Sequence, residues 1–212
     1  MRILELFAGS KSFSNAAKGD EVFTSDFDPE FNTHYTVDIL DFDINKLPWK
    51  PDVIWASPPC ESFSVASIGR HWNVDNTPKT ERAEHGVSMV KKTLEIIESL
   101  KPKYYFIENP RGKLRKLSFM QDHPARHTVT YCQYGDSRMK PTDIWTNFDG
   151  WRPRPMCKNG QPCHVSAPRG SKTGTQGIST YYERSMIPAD LCKEIIEALR
   201  YADGRDADPT LE

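Results

Sequence analysis

The sequence predicts an α/β fold in which helices pack on both faces of a mixed, mostly parallel β-sheet. Short apolar runs suited to strands recur along the chain, and segments with helical spacing of apolar residues separate them. The first run is followed by a small-residue turn and a short helical segment, which is how a nucleotide-binding βαβ unit begins. Polar residues follow several predicted strands, at the sheet edge where open α/β sheets bind ligands.

Composition describes an ordinary soluble protein. The 212 residues are 37% hydrophobic and 27% charged, which suits one large domain or one domain with a small appendage. There is no apolar run long enough to cross a bilayer and no signal peptide, so we expect no membrane partner. Five scattered cysteines argue against a disulfide framework and favour a reducing, cytoplasmic setting. The net charge of −1 does not itself indicate a nucleic-acid-binding protein.

The first strand and turn predict a ligand site near the N-terminus. Residues 2–7 form a short apolar run, residues 8–12 a turn of small residues, and residues 13–18 a predicted helix. The turn contains neither a full G-x-G-x-x-G nor a Walker lysine pattern. We therefore expect a ligand that is not held by a pyrophosphate.

Acidic residues accompany the second and third predicted strands. Asp26 ends a strand predicted over residues 22–25 and lies about twenty residues beyond the first turn, where it can accept both hydroxyls of a ribose. Phe27 can stack on an adenine, and Asp38, in a third candidate strand over residues 35–40, can reach an adenine amino group. Asp26 can equally well cap the next turn, and the sequence leaves both roles open.

A cysteine follows two prolines after the strand predicted over residues 52–56. Pro58 and Pro59 fix φ and remove two backbone donors, so a stiff turn presents the Cys60 thiol at the carboxyl end of a strand. A buried structural cysteine is the alternative, and spacing alone does not decide between them. The polar segment 64–86 has no clear periodicity, and we interpret it as a mobile loop that closes over a substrate.

A second reactive residue lies in the second half of the chain. The elements predicted there are a helix over 87–100, strands over 104–107, 128–133 and 143–147, and a helix that begins at Ile187-Pro188. The strands over 128–133 and 143–147 are expected to pair. Glu108 follows the strand over 104–107 and precedes Asn109-Pro110, so it can either react or cap a turn.

With these residues in view, the chain resembles the cytosine-C5 DNA methyltransferases, from residue 3 to about 146 and again from 184 to 199. The most specific match is the nucleophile motif, in which Pro59-Cys60 is followed by Phe63-Ser64. Glu108-Asn109 matches the second catalytic motif. The resemblance implies a Rossmann-like S-adenosylmethionine-dependent methyltransferase fold, with S-adenosyl-L-methionine as cofactor and double-stranded DNA as partner.

The same resemblance implies roles for individual residues. The implied cofactor-binding residues are Phe7, Gly9, Ser10, Ser12, Asp26, Phe27, Asp38, Ile39, Pro59 and Ser185. In the implied mechanism the Cys60 thiolate adds to C6 of a cytosine that is flipped out of the duplex. Glu108 protonates or hydrogen-bonds N3, Arg138 or Lys140 assists at O2, and C5 then takes the methyl group.

The sequence departs from the family pattern at several positions. The first motif has Ser10-Lys11-Ser12 in place of further glycine, and Pro110 stands where the family usually has valine. Arg138 and Lys140 fit the family's paired arginines imperfectly. An RNA (tRNA-type) cytosine-C5 methyltransferase and an inactive nucleic-acid-binding remnant are the alternative functions.

The predicted organisation is a catalytic and cofactor-binding domain over 1–147, a target-recognition segment over 148–183, a returning helix over 184–202 and a tail over 203–212. The recognition segment is short for the family, so we expect weak or short sequence specificity, or specificity supplied by a partner. Its basic residues can contact phosphates, and they are Arg152, Arg154, Lys158, Arg169 and Lys172.

Three soft metal ligands, Cys157, Cys163 and His164, surround a Gly/Pro turn in this segment. They can bind zinc, but the local pattern lacks a fourth ligand, which Cys132, Cys192 or a distant histidine can supply. The alternative is a pair of ordinary cysteines in a basic loop. The sequence therefore assigns no metal and leaves these three residues as zinc candidates.

Overall fold

The computed structural model describes residues 1–158, 160–166, 178 and 180–204, without the side chain of Tyr181. Arg169 and Lys172 of the predicted basic set lie outside the described residues, as does the tail from 205 onward. None of the described helices is long and apolar enough to cross a membrane.

Seven strands form one sheet in the order β3-β2-β1-β4-β5-β7-β6. Their bounds are β1 Arg2–Leu6, β2 Glu21–Asp26, β3 Tyr35–Thr36, β4 Val53–Ala56, β5 Tyr104–Pro110, β6 Ala125–Thr130 and β7 Pro141–Thr146. Neighbouring pairs among β1 to β5 are parallel, whereas β7 runs antiparallel to both β5 and β6. The mixed, mostly parallel sheet predicted from the sequence is confirmed.

The register of the three central strands sets the position of the site. Leu6 of β1 lies opposite Ala56 of β4, and Ala56 lies opposite Ile107 of β5. The next residue of each strand therefore emerges at the same level of the carboxyl edge. The chain order reverses between β1 and β4, which is the switch point at which α/β sheets open a ligand crevice.

Five helices surround the sheet in the described part of the chain. They are α1 Ser12–Ala16, α2 Ile68–His71, α3 Glu81–Leu100, α4 Tyr181–Ser185 and α5 Ala189–Ala202. One apolar cluster joins the sheet to α1 and α5, and its centre is Trp55, whose ring stacks on that of Phe13 at 4.4 Å. A second cluster joins the opposite face to α3 through Val90 and Ile97. Helices thus cover both faces, as the sequence predicts.

The predicted helix over 87–100 begins six residues earlier, at Glu81. The Thr80 side chain accepts a hydrogen bond from the Ala83 amide, and this N-cap starts the helix in a polar stretch where apolar periodicity gives no signal. The adjoining segment is not irregular throughout, because it also contains α2 and the buried Trp72, which donates from Nε1 to the Ser62 carbonyl oxygen at 2.7 Å.

Two predicted strands end earlier than expected, and β6 also begins three residues earlier, at Ala125. β3 ends at Thr36, and Asp38 then accepts a hydrogen bond from the Leu40 amide to begin a 3-10 turn. β6 ends at Thr130, and residues 131–134 form a second 3-10 turn in place of the predicted strand end. Gly135 ends that turn at φ +83, a conformation that favours glycine.

Candidate functional site

A cavity opens at the carboxyl ends of β1, β4 and β5. The predicted site residues that line it are Phe7, Gly9, Ser10, Ser12, Asp26, Phe27, Pro59, Cys60, Glu108, Lys140 and Ser185. An adjoining cavity shares Asp26, Phe27 and Pro59 with it and is also lined by Asp38 and Ile39. The fold therefore gathers residues that lie up to 178 positions apart in the sequence around one crevice.

The Cys60 turn is fixed by backbone contacts. Its carbonyl oxygen accepts hydrogen bonds from the amides of Phe63 and Ser64, both at 3.0 Å. Asn109 Nδ2 donates to the Pro58 carbonyl oxygen at 2.9 Å, which ties the end of β5 to the proline turn. Gly112 approaches the same loop so closely that a Cβ there would lie 2.2 Å from the Phe63 carbonyl oxygen.

The charges around Cys60 shift the pKa of its thiol in opposite directions. Burial raises the pKa of the Cys60 thiol, the Lys140 ammonium lowers that pKa, and the Glu108 carboxylate raises it further. The thiolate is therefore favoured when Lys140 is charged and Glu108 is protonated. This is the combination of states that a nucleophilic thiol beside an acid requires.

Glu108 lies within β5 and is buried, and its Oε1 accepts a hydrogen bond from the Tyr131 hydroxyl at 2.8 Å. Burial raises the pKa of the Glu108 carboxyl, while Lys140 and the hydroxyls of Tyr131 and Ser57 oppose the rise. Glu108 can therefore retain a proton above the usual range of a carboxyl and donate it into the cavity.

Tyr131 is a site residue that the sequence reasoning missed. It was placed inside a predicted strand, whereas the 3-10 turn after β6 directs its hydroxyl to Glu108. The available signal was the position of an aromatic residue just before the Gln133-Tyr134-Gly135 motif. Periodicity alone could not find it, because a buried strand tyrosine has the same pattern.

The two predicted cations are placed differently. Lys140 lines the cavity, donates to the Arg184 carbonyl oxygen at 3.0 Å and lies 4.7 Å from the centre of the Tyr131 ring. Arg138 is 3% exposed and does not line that cavity. Its side-chain donors bond the Asp136 carboxylate and the carbonyl oxygens of Glu183, Arg184 and Met186.

The guanidinium of Arg138 thus joins the segment before α5 to the turn after β6 through hydrogen bonds. In this placement Arg138 does not face the position expected of a base oxygen, because its donors are bonded to the Asp136 carboxylate and to carbonyl oxygens before α5 and do not line the cavity. Of the two predicted cations, Lys140 is the one that faces Cys60 and Glu108.

The turn after β1 forms the other side of the crevice. Phe7, Gly9 and Lys11 all have positive φ, and the Gly9 amide donates to Asp26 Oδ2 at 2.9 Å. Asp26 Oδ1 accepts from the Asp28 amide at 3.1 Å, so the turn-capping role left open by the sequence is present. Burial raises the pKa of the Asp26 carboxyl.

Each Asp26 oxygen accepts one described hydrogen bond and retains a further lone pair for a hydroxyl donor. Phe27 is 68% exposed between the two cavities, where its ring is available for stacking. Ser12 Oγ accepts from the Ile187 amide at 3.2 Å, which brings the segment containing Ser185 back to the first turn. These features fit a nucleoside better than a pyrophosphate, as the absence of a Walker pattern predicts.

Glu5 is a second residue that the sequence reasoning missed. It lies on β1, lines the cavity and accepts hydrogen bonds from the amides of Phe13 and Ser14, at 3.2 and 2.9 Å. Burial raises the pKa of the Glu5 carboxyl to about 7. An acidic residue in the middle of an otherwise apolar strand was the signal that could have identified it.

The zinc candidates of the predicted recognition segment lie close to a fourth potential ligand. The ligand atoms of Cys157, Cys163 and His164 lie within 4.8 Å of one another and of the Cys132 sulfur. Cys192, the other cysteine considered for this position, is buried in the apolar cluster beneath α5. Among the basic residues described in the predicted recognition segment, Arg154 forms an ion pair with Glu194, with 2.8 Å between Arg154 Nε and Glu194 Oε2.

The strand order, the antiparallel β7 and the crevice at the switch point define the Rossmann-like fold of S-adenosylmethionine-dependent methyltransferases. Residues 1–118 match the family of C-5 cytosine-specific DNA methylases. The chain belongs to this family.

Individual relatives agree with this assignment. The chain is 30% identical over 217 residues to the "Probable DNA (cytosine-5)-methyltransferase" of Frog virus 3 (isolate Goorha), and the match covers 93% of this chain and 99% of that protein. A solved structure described as a prophage-encoded DNA modification methyltransferase (E. coli) has the same fold, with a TM-score of 0.51 and 15% identity. That match covers 69% of this chain and 46% of the other, so this chain spans just under half of its length.

Proposed function

We propose that this protein methylates C5 of cytosine in DNA, with S-adenosyl-L-methionine as methyl donor and Cys60 as a covalent nucleophile. The observation that carries the proposal is that Cys60, Glu108 and Lys140 line one cavity together with the Asp26 and Phe27 side of the crevice. When bound, S-adenosylmethionine supplies an electrophilic methyl group.

The fit of the methyl donor rests on features of the chain itself. Asp26 has acceptor capacity left for two ribose hydroxyls, and Phe27 offers an exposed ring for the adenine. Asp38 and Ile39 line the adjoining cavity and can contact the adenine edge. The first turn, together with Ser185, lies on the side toward Cys60.

Cys60 and Glu108 then perform complementary steps. The Cys60 thiolate forms a bond to C6, and the displaced π electrons make C5 nucleophilic while Glu108 gives a proton to N3. Lys140 stabilises the thiolate and is the cation available at O2. After C5 gains the methyl group, the C5 proton passes to solvent water, the C5–C6 double bond re-forms as the Cys60 sulfur is expelled, and N3 returns its proton to Glu108.

The reacting cytosine must leave the duplex, because C6 and C5 are covered by stacking and a buried glutamate cannot reach N3 inside a base pair. We infer that the segment after Cys60, which includes α2, closes on the flipped base. Its polar residues between 73 and 77 are exposed.

The test uses duplex DNA that contains 5-fluorocytosine, together with S-adenosylmethionine. Fluorine at C5 blocks the last elimination, so a protein–DNA adduct resistant to denaturation should accumulate with the native chain and be absent with Cys60→Ala. Cys192→Ala, which removes a core thiol instead, should retain the adduct once its folding is verified by circular dichroism.

The alternatives predict different results. An adduct on tRNA containing 5-fluorocytidine, with none on DNA, would replace the proposal by the RNA methyltransferase. Binding of DNA with no adduct on either substrate would favour the inactive remnant.

A further inference from the structure

We propose that Cys132, Cys157, Cys163 and His164 bind one structural zinc ion that attaches the recognition segment to the catalytic sheet. Cys132 belongs to the 3-10 turn after β6, whereas the other three belong to residues 151–158 and 160–166, which we call the strap. The ligands thus come from two parts of the chain separated by β7. The proposal does not depend on the methyltransferase function.

Four of the six distances between the ligand atoms lie within about 0.6 Å of those in a tetrahedral zinc site. Zn–S bonds of about 2.3 Å and a Zn–N bond of about 2.0–2.1 Å place two sulfurs about 3.8 Å apart, and a sulfur and a nitrogen about 3.6 Å apart. Cys163 Sγ lies 3.7 Å from Cys132 Sγ and 3.2 Å from Cys157 Sγ. His164 Nδ1 lies 3.4 and 3.8 Å from the sulfurs of Cys157 and Cys163.

The set of donors favours zinc in a structural role. Three thiolates and one imidazole are soft to borderline ligands, which select zinc over magnesium or calcium. Four protein ligands fill a tetrahedral coordination sphere, so no open position remains for a reacting water. Gln133 Nε2 lies 3.5 Å from Cys163 Sγ as a hydrogen-bond donor, as expected of a residue that supports a metal-bound thiolate.

A disulfide explains the cluster less well. It would use only two of the four groups, and all four cysteines outside the cavity are free, as is Cys60. Convergence of Cys132 and His164 on the same point would then have no chemical reason. A metal uses all four side chains at once.

The strap needs a stabilising element of this kind. Its described residues form no helix or strand, and its buried side chains are Trp151 and Cys157. Three hydrogen bonds join its described backbone to the end of β6 and the segment after it, namely Cys157 N to Thr130 Oγ1, Arg154 N to the Tyr134 hydroxyl, and Val165 N to the Ser137 carbonyl oxygen. A segment this short cannot bury its own core, and a bound metal commonly supplies the missing folding free energy.

The position of Cys132 links this site to the catalytic edge. Tyr131, the preceding residue, donates to Glu108 Oε1, so a metal bound at Cys132 holds the same 3-10 turn that orients Glu108. Because Tyr131 is itself fully buried and bonded to Glu108, removal of zinc should release the strap first and perturb the Glu108 side of the cavity less.

The first test measures metal in the full-length chain purified under reducing conditions and reconstituted with zinc. Mass spectrometry of the metal should find one zinc per chain in the native protein and in Cys60→Ser, which serves as the matched cysteine control. Cys132→Ser, Cys157→Ser and Cys163→Ser should each lose it. Native protein without stoichiometric zinc would overturn the site, and full zinc in Cys132→Ser would overturn the assignment of the fourth ligand.

A spectroscopic test avoids dependence on variants that fold poorly. Cobalt in place of zinc should give the absorption of a tetrahedral site with thiolate ligands. In His164→Cys the thiolate-to-cobalt intensity per metal should rise by about one third, because four thiolates replace three. An octahedral cobalt spectrum in the native chain would contradict the proposed ligand set.

Proteolysis tests the structural role. With zinc bound, the peptide bond after Lys158 should resist trypsin, and a chelator should expose it until zinc is restored. Equal cleavage with and without the chelator would show that the metal does not hold the strap.

Discussion

The side chains at the carboxyl edge of the sheet and those of the strap are held in place in different ways. At the edge, Phe7 and Ser57 follow β1 and β4 and Glu108 lies at the same level of β5, so the register of the three hydrogen-bonded strands fixes their separation. In the strap no strand pairing is available in the described residues, and three of its side chains converge with Cys132 on the proposed metal site instead. The edge is specified by many weak interactions spread over the core, whereas the strap depends on a few specific groups.

Mutations in the two regions should therefore have different consequences. A substitution at the edge that leaves the strands intact should change chemistry without changing zinc content. A substitution among the four ligands should change the strap while leaving the sheet folded. Substitutions at the edge test whether its chemistry can be changed without changing the strap.

The largest effect is expected from Glu108→Gln. The amide has nearly the same shape but cannot deliver a proton to N3, so kcat should fall by about 10²–10⁴-fold while zinc content stays unchanged. Burial raises the pKa of Glu108, so native activity should fall as pH rises through that raised pKa and the acid loses its proton. The variant should lack this limb of the pH profile.

Tyr131→Phe provides the matched control for Glu108. It removes the 2.8 Å hydrogen bond to Oε1 but keeps the ring, so kcat should fall less than in Glu108→Gln and the alkaline limb should remain. Equal losses in the two variants, with the same altered pH profile, would contradict the role of Glu108 as the proton donor.

The sequence predicted the edge well and the strap incompletely, for a physical reason. Apolar runs identify buried strands, and Cys60, Asp26 and Glu108 lie at or within four residues of the carboxyl ends of these runs, so parallel packing brings them together without further information. The partner of Cys157 could not be found in this way. Cys132 lies 25 residues earlier, and only the 3-10 turn that ends β6 directs it to the strap.

Similar reasoning explains why the sequence left Arg138 and Lys140 as alternatives. In sequence, Arg138 and Lys140 are equivalent cations two residues apart, and the motif does not distinguish them. Their environments differ because carbonyl oxygens of the segment before α5 converge on Arg138, and Asp136 lies beside it. Such convergence of backbone oxygens from a distant segment leaves no local pattern in the sequence.

An intermediate effect is expected from Glu5→Gln on folding stability. The pKa of Glu5 is about 7 in the folded protein against 4.5 for an ordinary glutamate, so the folded state binds the proton more tightly than the unfolded state. Glu5 therefore contributes stability below about pH 4.5 that is lost as pH rises to about 7, amounting to about 3 kcal/mol.

The measurement is denaturant unfolding of native protein and Glu5→Gln between pH 4.5 and 8. The difference in unfolding free energy between them should change by about 3 kcal/mol over this range and then level off. Addition of a chelator should not alter this difference, because Glu5 lies at the edge and not in the strap. A difference that does not vary with pH would refute the assignment of a raised pKa.

The smallest effect is expected from Lys140→Met. This variant tests most directly which cation assists at the base. Lys140 is the largest electrostatic influence lowering the pKa of both Cys60 and Glu108. Its removal should reduce kcat by about tenfold, since about 1.4 kcal/mol of charge stabilisation corresponds to that factor. The acidic limb of the pH profile should move to higher pH, because the Cys60 thiolate then forms less readily.

Arg138→Met is the matched control, because it removes a neighbouring cation that does not line the cavity. It should lower the unfolding free energy by leaving the carbonyl oxygens of Glu183, Arg184 and Met186 without their donor, while the acidic limb stays in place. If Arg138→Met moved the limb and Lys140→Met did not, the cation at the base would be Arg138, and its carbonyl contacts would have to be exchanged for the substrate on binding.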